Sequence, residues 1–149
     1  VCTAGQLVRI STNELSVDFN SDSGWFLDLI GSGERANTDP TLALGTLGFT
    51  SNIPNSSACT AGGTSFRYFL NYATGTPVST ARSSSSGVGV IGVSFGNALA
   101  TRGVFVRLPN NTVVQLTRLS TGTTVTSNVP IGAGAGGTRR VSWRELITE

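Results

Sequence analysis

The sequence predicts an all-β protein, and its composition and turn spacing carry this prediction. Glycine (19 residues), serine and threonine are abundant, whereas only 12% of the residues are charged. Glycine and β-branched residues disfavour helices, and β-branched and aromatic residues favour strands. Short apolar or alternating runs are separated by turn residues at intervals of about 8–12 residues, a spacing typical of β-sandwiches and β-propellers.

The predicted strands are short, and each is bounded by turn residues. Alternation is clearest where Leu15, Val17 and Phe19 share one face of a strand. The turn Pro109-Asn110-Asn111 joins two apolar runs into a hairpin. The predicted strands are Leu7–Ile10, Leu15–Phe19, Trp25–Ile30, Thr41–Thr50, Phe66–Tyr72, Val88–Phe95, Val104–Leu108, Val113–Leu119, Thr123–Val129 and Val141–Leu146.

The chain has the length of one domain, and we expect residues 1–149 to form a single all-β domain. Two segments are predicted to be flexible loops, the serine-rich residues 79–87 and the glycine-rich residues 132–137. No signal peptide precedes Val1, so we expect an excised segment or a processed product.

Charged residues are sparse, and every basic residue in the sequence is an arginine. The 10 basic residues are scattered from Arg9 to Arg144, and the formal net charge is +2. A nucleic-acid surface is normally a basic cluster or stripe, so no nucleic-acid partner is predicted. No apolar run reaches the length of about 18 residues that a membrane-spanning helix needs, so no membrane span is predicted.

The side chains that most enzymes need are missing from the sequence. Without histidine there is no Ser-His-Asp triad and no His-ligated metal, and without lysine there is no Schiff base. Paired carboxylates could serve a glycosidase, but the acids occupy turn-like contexts. The segment 20–24 is the nearest approach to a calcium loop, and we interpret it as a turn. We therefore expect a non-catalytic protein without cofactor or metal.

One strand with its following turn resembles a blade motif of quinoprotein-type β-propellers. The motif is Phe66-Arg67-Tyr68-Phe69-Leu70-Asn71-Tyr72-Ala73-Thr74-Gly75, an aromatic strand that ends in a polar-x-Ala-Thr-Gly turn. In such a turn Asn71 and Thr74 satisfy backbone amides, and Gly75 permits positive φ.

The flanking segments resemble the C-terminal propeller region of the PilY family of type IV pilus tip-associated proteins. They are Gly24-Trp25-Phe26-Leu27-Asp28-Leu29, Gly33-Glu34-Arg35, Asp39-Pro40, Phe49-Thr50, Ile53-Pro54-Asn55, Cys59, Gly62-Gly63-Thr64-Ser65 and the ending Arg139–Leu146. They occur in the family's order and cover most of residues 24–75 and 139–146. The family's acidic calcium loop and its N-terminal adhesive domain have no counterpart here, so calcium control and that domain's surface binding are not carried over.

The resemblance implies part of an antiparallel β-propeller of about three blades, exported through the periplasm to the pilus tip on the cell surface. It implies a role in pilus biogenesis and cell adhesion, with minor pilins or the tip complex, or a host or abiotic surface, as partners. The alternative is a free-standing β-sandwich adhesin or structural filament subunit. We expect Val141–Leu146 to pair with a strand distant in sequence or with a partner chain, because an unclosed array leaves strand edges unpaired.

Aromatic residues in the strands are predicted to be structural anchors. Trp25 and Trp143 lie in alternating strand patterns, and Tyr68 lies in the blade motif. The alternative for the two tryptophans is a sugar-stacking platform. We also expect Arg35 or a neighbouring arginine to pair with a carboxylate such as Asp28 or Asp39.

Cys2 and Cys59 are predicted to form a disulfide, because the count is even and both lie in polar Gly/Thr-rich sequence. The alternative is two unrelated buried thiols. Alkylation of the natively exported protein followed by mass spectrometry without reductant is expected to show a linked Cys2–Cys59 peptide. Two freely alkylated thiols would contradict the pairing.

Overall fold

The structure is a computed structural model, and it describes residues 7–9, 17–18, 20–29, 31–57, 62–78 and 92–131. Every regular element in these ranges is a β-strand, as the sequence predicts, so they contain no helix that could cross a membrane. The strands are β1 (Leu7–Arg9), β2 (Gly24–Phe26), β3 (Thr41–Ala43), β4 (Thr46–Pro54), β5 (Gly63–Asn71), β6 (Val93–Gly96), β7 (Val104–Arg107), β8 (Val113–Arg118) and β9 (Thr124–Asn128).

The strands form two antiparallel sheets and one separate pair. Sheet I has the order β3-β4-β5-β6 and sheet II has the order β7-β8-β9, so each is a meander of consecutive strands with open edges. β1 and β2 pair in parallel, whereas the sequence predicts antiparallel sheets throughout. In each meander, strands that follow one another in the chain lie side by side, the commonest arrangement for antiparallel strands.

The predicted single strand Thr41–Thr50 is wrong, because the chain turns back within it. Leu44 and Gly45 both have positive φ, 47° and 80°, which is the pattern of a two-residue hairpin turn matching the strand twist. Leucine rarely adopts such a backbone, so the sequence carries no turn signal at this position. The Leu44 side chain packs against a buried cluster that includes Phe69, and this contact offsets the backbone cost.

Other strand boundaries differ from the prediction by a few residues. β2 ends at Phe26, and residues 27–29 continue without strand pairing. β4 continues to Pro54, where it is paired with the first residue of β5. Residues 17–18 are not in a strand. The predicted loops 79–87 and 132–137 and the predicted strand Val141–Leu146 lie outside the described residues.

The hairpin of β4 and β5 is covered on both faces. On one face, here called the loop face, Tyr68 and Leu70 form a buried cluster with half-buried apolar side chains from the chain segment after β2. The rings of Phe49 and Tyr68 stack there with centroids 4.8 Å apart. The apolar side chains packed against this cluster are Trp25, Leu27, Leu29, Phe49 and Phe66.

The opposite face of the hairpin, here called the inner face, packs on sheet II. Phe69 meets Phe105 of β7 with ring centroids 6.1 Å apart, and Val113 and Val129 complete the buried cluster. Gly48 lies directly under the Phe105 ring, because a Cβ there would stand 2.3 Å from the ring. Any larger residue at position 48 would therefore push the two sheets apart.

Much of the inner face is polar and bonds to the backbone of the chain that leads into sheet II. Asn52 donates from Nδ2 to the Ala100 carbonyl at 3.0 Å and accepts from the Ala100 amide at 2.7 Å. Thr50 Oγ1 donates to the Thr101 carbonyl at 3.1 Å. Ser65 Oγ donates to the Ala98 carbonyl at 2.6 Å. These bonds satisfy side chains that would otherwise be costly to bury.

Replacing Leu70 with alanine is expected to lower the free energy of unfolding by about 2–5 kcal/mol, because its side chain is fully buried on the loop face. Leu42→Ala is the matched control: Leu42 is 57% exposed, and a surface truncation changes stability by about 0.5 kcal/mol at most. Urea unfolding of both variants measures the difference. Equal losses would show that the loop face is not a packed core.

Candidate functional site

The carboxylate of Glu34 on the loop face accepts hydrogen bonds from three surrounding groups. Glu34 Oε1 accepts hydrogen bonds from the Tyr68 hydroxyl, at 2.6 Å, and from the Ser51 hydroxyl. Its Oε2 accepts from the amide of Gly31 at 2.8 Å, within a turn that also bonds the Glu34 amide to the Gly31 carbonyl. Glu34 therefore ties the loop after β2 to both strands of the central hairpin.

The tyrosine in this cluster is held in its neutral form. Tyr68 is 4% exposed. Burial raises the pKa of the Tyr68 phenol well above its ordinary value of 10.0, and the hydrogen bond to the Glu34 carboxylate and the negative charge of Glu34 raise this pKa further. The phenol is thus protonated at physiological pH and donates its hydrogen bond to the Glu34 carboxylate.

The turn after β5 has the hydrogen bonds that the blade motif predicts. Asn71 Oδ1 accepts from the amides of Ala73, at 2.9 Å, and Thr74, at 3.3 Å. Thr74 Oγ1 accepts from the Thr76 amide at 3.5 Å, and Gly75 has φ 70°. The chain then returns to pair Pro77 with Leu70. Both predicted amide-satisfying residues and the predicted positive φ are confirmed.

At the predicted turn of residues 20–24, the carboxylates of Asp18 and Asp22 accept hydrogen bonds from nearby backbone amides. Asp18 Oδ1 accepts from the amide of Asn20 at 2.9 Å, and Asp22 Oδ2 accepts from the amide of Asp18 at 2.9 Å. The amides of Ser21 and Asp22 donate to the Asp18 carbonyl. These are the local bonds of an Asx-type turn. Within the described ranges no group of three or more acidic, cysteine or histidine residues is placed to hold a metal.

Two of the predicted structural anchors lie within the described residues. Trp25 is half-buried against the Tyr68 cluster, and its Nε1 donates to the Tyr72 carbonyl at 3.0 Å. That bond joins β2 to the residue that follows β5. Trp143, Cys2 and Cys59 lie outside the described residues, so their roles stay predictions.

The charged turn of residues 34–39 is held by backbone hydrogen bonds and carries one exposed ion pair. Arg35 pairs with Asn52 of β4 through two backbone hydrogen bonds, and its Nε donates to the Gly33 carbonyl at 3.4 Å. Asp39 lies 3.6 Å from Nη1 of Arg102, with both side chains largely exposed. An exposed pair of this kind contributes little to stability. Arg102 is not near Asp39 in sequence, so the sequence carried no signal for this partner.

The inner face holds polar residues that the sequence analysis missed. The guanidinium carbon of Arg67 lies 5.5 Å from the centroid of the Phe95 ring, and Nη1 donates to the hydroxyl of Ser127 on β9. Burial lowers the pKa of the Arg67 guanidinium. In the described part of the chain, Arg67 Nε and the side-chain polar atoms of Gln115 and Thr117 are buried without a hydrogen-bond partner. The alternation of the strand was the available signal, because it places Arg67 on the same face as Ser65 and Phe69.

No similar protein identifies this arrangement. Comparisons with protein-family models, with curated proteins and with solved structures find no match to this chain. The function is therefore argued from the residues and their geometry.

Because the Tyr68 phenol is buried, the free energy of unfolding is expected to fall at alkaline pH. Because its pKa is raised in the folded state, its contribution is complete below pH 10 and is lost as the pH rises above 10, where only the unfolded chain ionises. We expect the free energy of unfolding to fall there by up to about 1.4 kcal/mol per pH unit. Tyr68→Phe is expected to flatten this slope and to lose about 1.5–3 kcal/mol at pH 7. Urea titrations at pH 9, 10 and 11 test it, and an unchanged slope in the variant rejects Tyr68 as the group.

Proposed function

We propose that this chain is a segment of a quinoprotein-type β-propeller in a type IV pilus tip-associated protein of the PilY family. It acts in pilus assembly and surface adhesion and carries out no catalysis. Its partners are minor pilins or the pilus tip complex, and a host or abiotic surface. The protein is exported through the periplasm to the cell surface.

The observation that carries this proposal is the folded state of the blade motif. The motif strand is β5, the second of the two nine-residue strands at the centre of sheet I. Its Asn71 and Gly75 form the turn that the motif requires. Several of the other segments on which the resemblance rests lie around this strand: Trp25 packs against its Tyr68, and Glu34 accepts from Tyr68. Residues that carry the resemblance are therefore in contact with one another.

The order of the strands supports a propeller arrangement. Each sheet is a meander of consecutive strands, and the second meander packs face to face on the first. Consecutive blades of a propeller are built in this way. A β-sandwich has the same two packed sheets. The experiment therefore also has to distinguish a free-standing adhesin or filament subunit.

The proposal is tested in the bacterium that encodes the chain. Deletion of the coding region for residues 1–149 is expected to reduce the number of surface pili seen by electron microscopy and to reduce attachment to a surface. Both are expected to return on complementation with the intact gene and with its Leu42→Ala variant, which alters an exposed side chain. Normal pilus numbers with lost attachment would favour the free-standing adhesin. Normal numbers and normal attachment would reject the proposal.

A further inference from the structure

The layers on the two sides of sheet I differ in the sign of their charge. Residues 17–39, whose apolar side chains pack on the loop face, contain five acidic residues and one arginine. Residues 98–131, which include sheet II, contain three arginines and no acidic residue. The exposed pair of Asp39 and Arg102 links the two layers at one edge. Net negative charge and net positive charge therefore lie on opposite sides of sheet I.

The outer face of sheet II combines exposed aliphatic side chains with an arginine. Phe105 and Gln115 are cross-strand partners on the face turned to sheet I, so the alternation of β7 and β8 turns Val104 and Leu116 outward. Val104 and Leu116 are partners in the same ladder and are 47% and 36% exposed. Arg118 follows on the outward side of β8 and is exposed. These three outward residues form what is here called the basic face.

The layer on the loop face presents an aromatic ring and a carboxylate on its outer side. Trp25, Leu27 and Leu29 pack on the loop face. The residues between them alternate outward, where Phe26 is 37% exposed and Asp28 is exposed. Phe26 and Asp28 form what is here called the acidic face.

The two faces are complementary in chemistry and in spacing. In each of them a charged residue follows an apolar residue by two positions, Leu116 with Arg118 and Phe26 with Asp28. Residues two apart on one side of an extended chain are separated by about 7 Å. Placing the Phe26 ring on the aliphatic side chains of the basic face therefore brings Asp28 within reach of Arg118. The apolar contact favours association, and the carboxylate–guanidinium pair fixes its orientation.

We infer that the basic face of one copy of this chain binds the acidic face of a second copy in a head-to-tail contact. The two faces of a single copy cannot meet, because sheet I and the buried clusters on both of its sides separate them. A contact between unlike faces leaves one face of each kind open at the ends of the assembly, so it repeats into a linear array or closes into a ring. The inference goes beyond the proposed function and does not depend on it.

Sedimentation velocity of the purified 149-residue chain tests the contact. At low ionic strength the sedimenting species are expected to grow with protein concentration, and added salt is expected to dissociate them because it screens the charges. Arg118→Glu and Asp28→Arg are each expected to weaken association by about a hundredfold, because each sets like charges against each other.

Arg107→Glu is the matched control for the change in net charge. Arg107 is exposed, but its cross-strand partner is Val113, which is buried toward sheet I, so Arg107 does not belong to the basic face. This variant is expected to change the association constant by less than about threefold.

Mixing the two face variants separates a lost contact from a lost fold. Arg118→Glu and Asp28→Arg are each expected to be monomeric alone, whereas an equimolar mixture is expected to associate, because each variant supplies the charge that the other needs. Three outcomes would overturn the inference. They are a wild-type chain that stays monomeric at every concentration, a mixture that stays monomeric, and an Arg107→Glu variant that loses as much association as Arg118→Glu.

Discussion

The pairing of β4 with β5 places nine residues of each strand between two other layers of the protein. The loop face takes the apolar side chains that follow β2, and the inner face takes sheet II. Because side chains alternate along a strand, a slip of one residue would exchange these two sets. Tyr68 would lose Glu34, and Asn52 would lose the Ala100 backbone, so the register of this one pair determines how every other layer attaches.

The inner face differs from most β-protein cores because hydroxyl and amide groups occupy much of it. Thr46, Thr50 and Ser65 are fully buried on this face. Apolar contacts tolerate sliding, but hydrogen bonds to particular backbone groups do not. The bonds from Thr50, Asn52 and Ser65 to the stretch 98–101 therefore position the chain that leads into sheet II. The sheets are aligned by direction-dependent bonds at one end and by the Phe69–Phe105 contact at the other.

The charged groups of the described chain serve mainly to hold backbone and strands in place. Glu34 binds the loop to the central hairpin, the aspartates at 18 and 22 close a turn, and Arg67 links sheet I to sheet II. Such use of polar groups stabilises the framework that the two sheets form. This fits the proposal of an assembly and adhesion module, in which contact with a partner, not chemistry on a substrate, is the activity.

The all-β class, most strand positions and the turn at Asn71–Gly75 follow from the sequence alone, because alternation and turn chemistry are local properties. The hairpin at Leu44 could not be predicted, because its backbone is stabilised by a contact with residues distant in sequence. The same holds for Glu34, because its bond to the Tyr68 hydroxyl joins two residues that are distant in sequence. Arg67 and Asn52 of the central hairpin and Gln115 of sheet II lie between the two sheets, so their burial depends on how the sheets pack. Local pattern determined the strands of this protein, and tertiary packing decided which polar side chains are buried, because burial depends on what lies opposite.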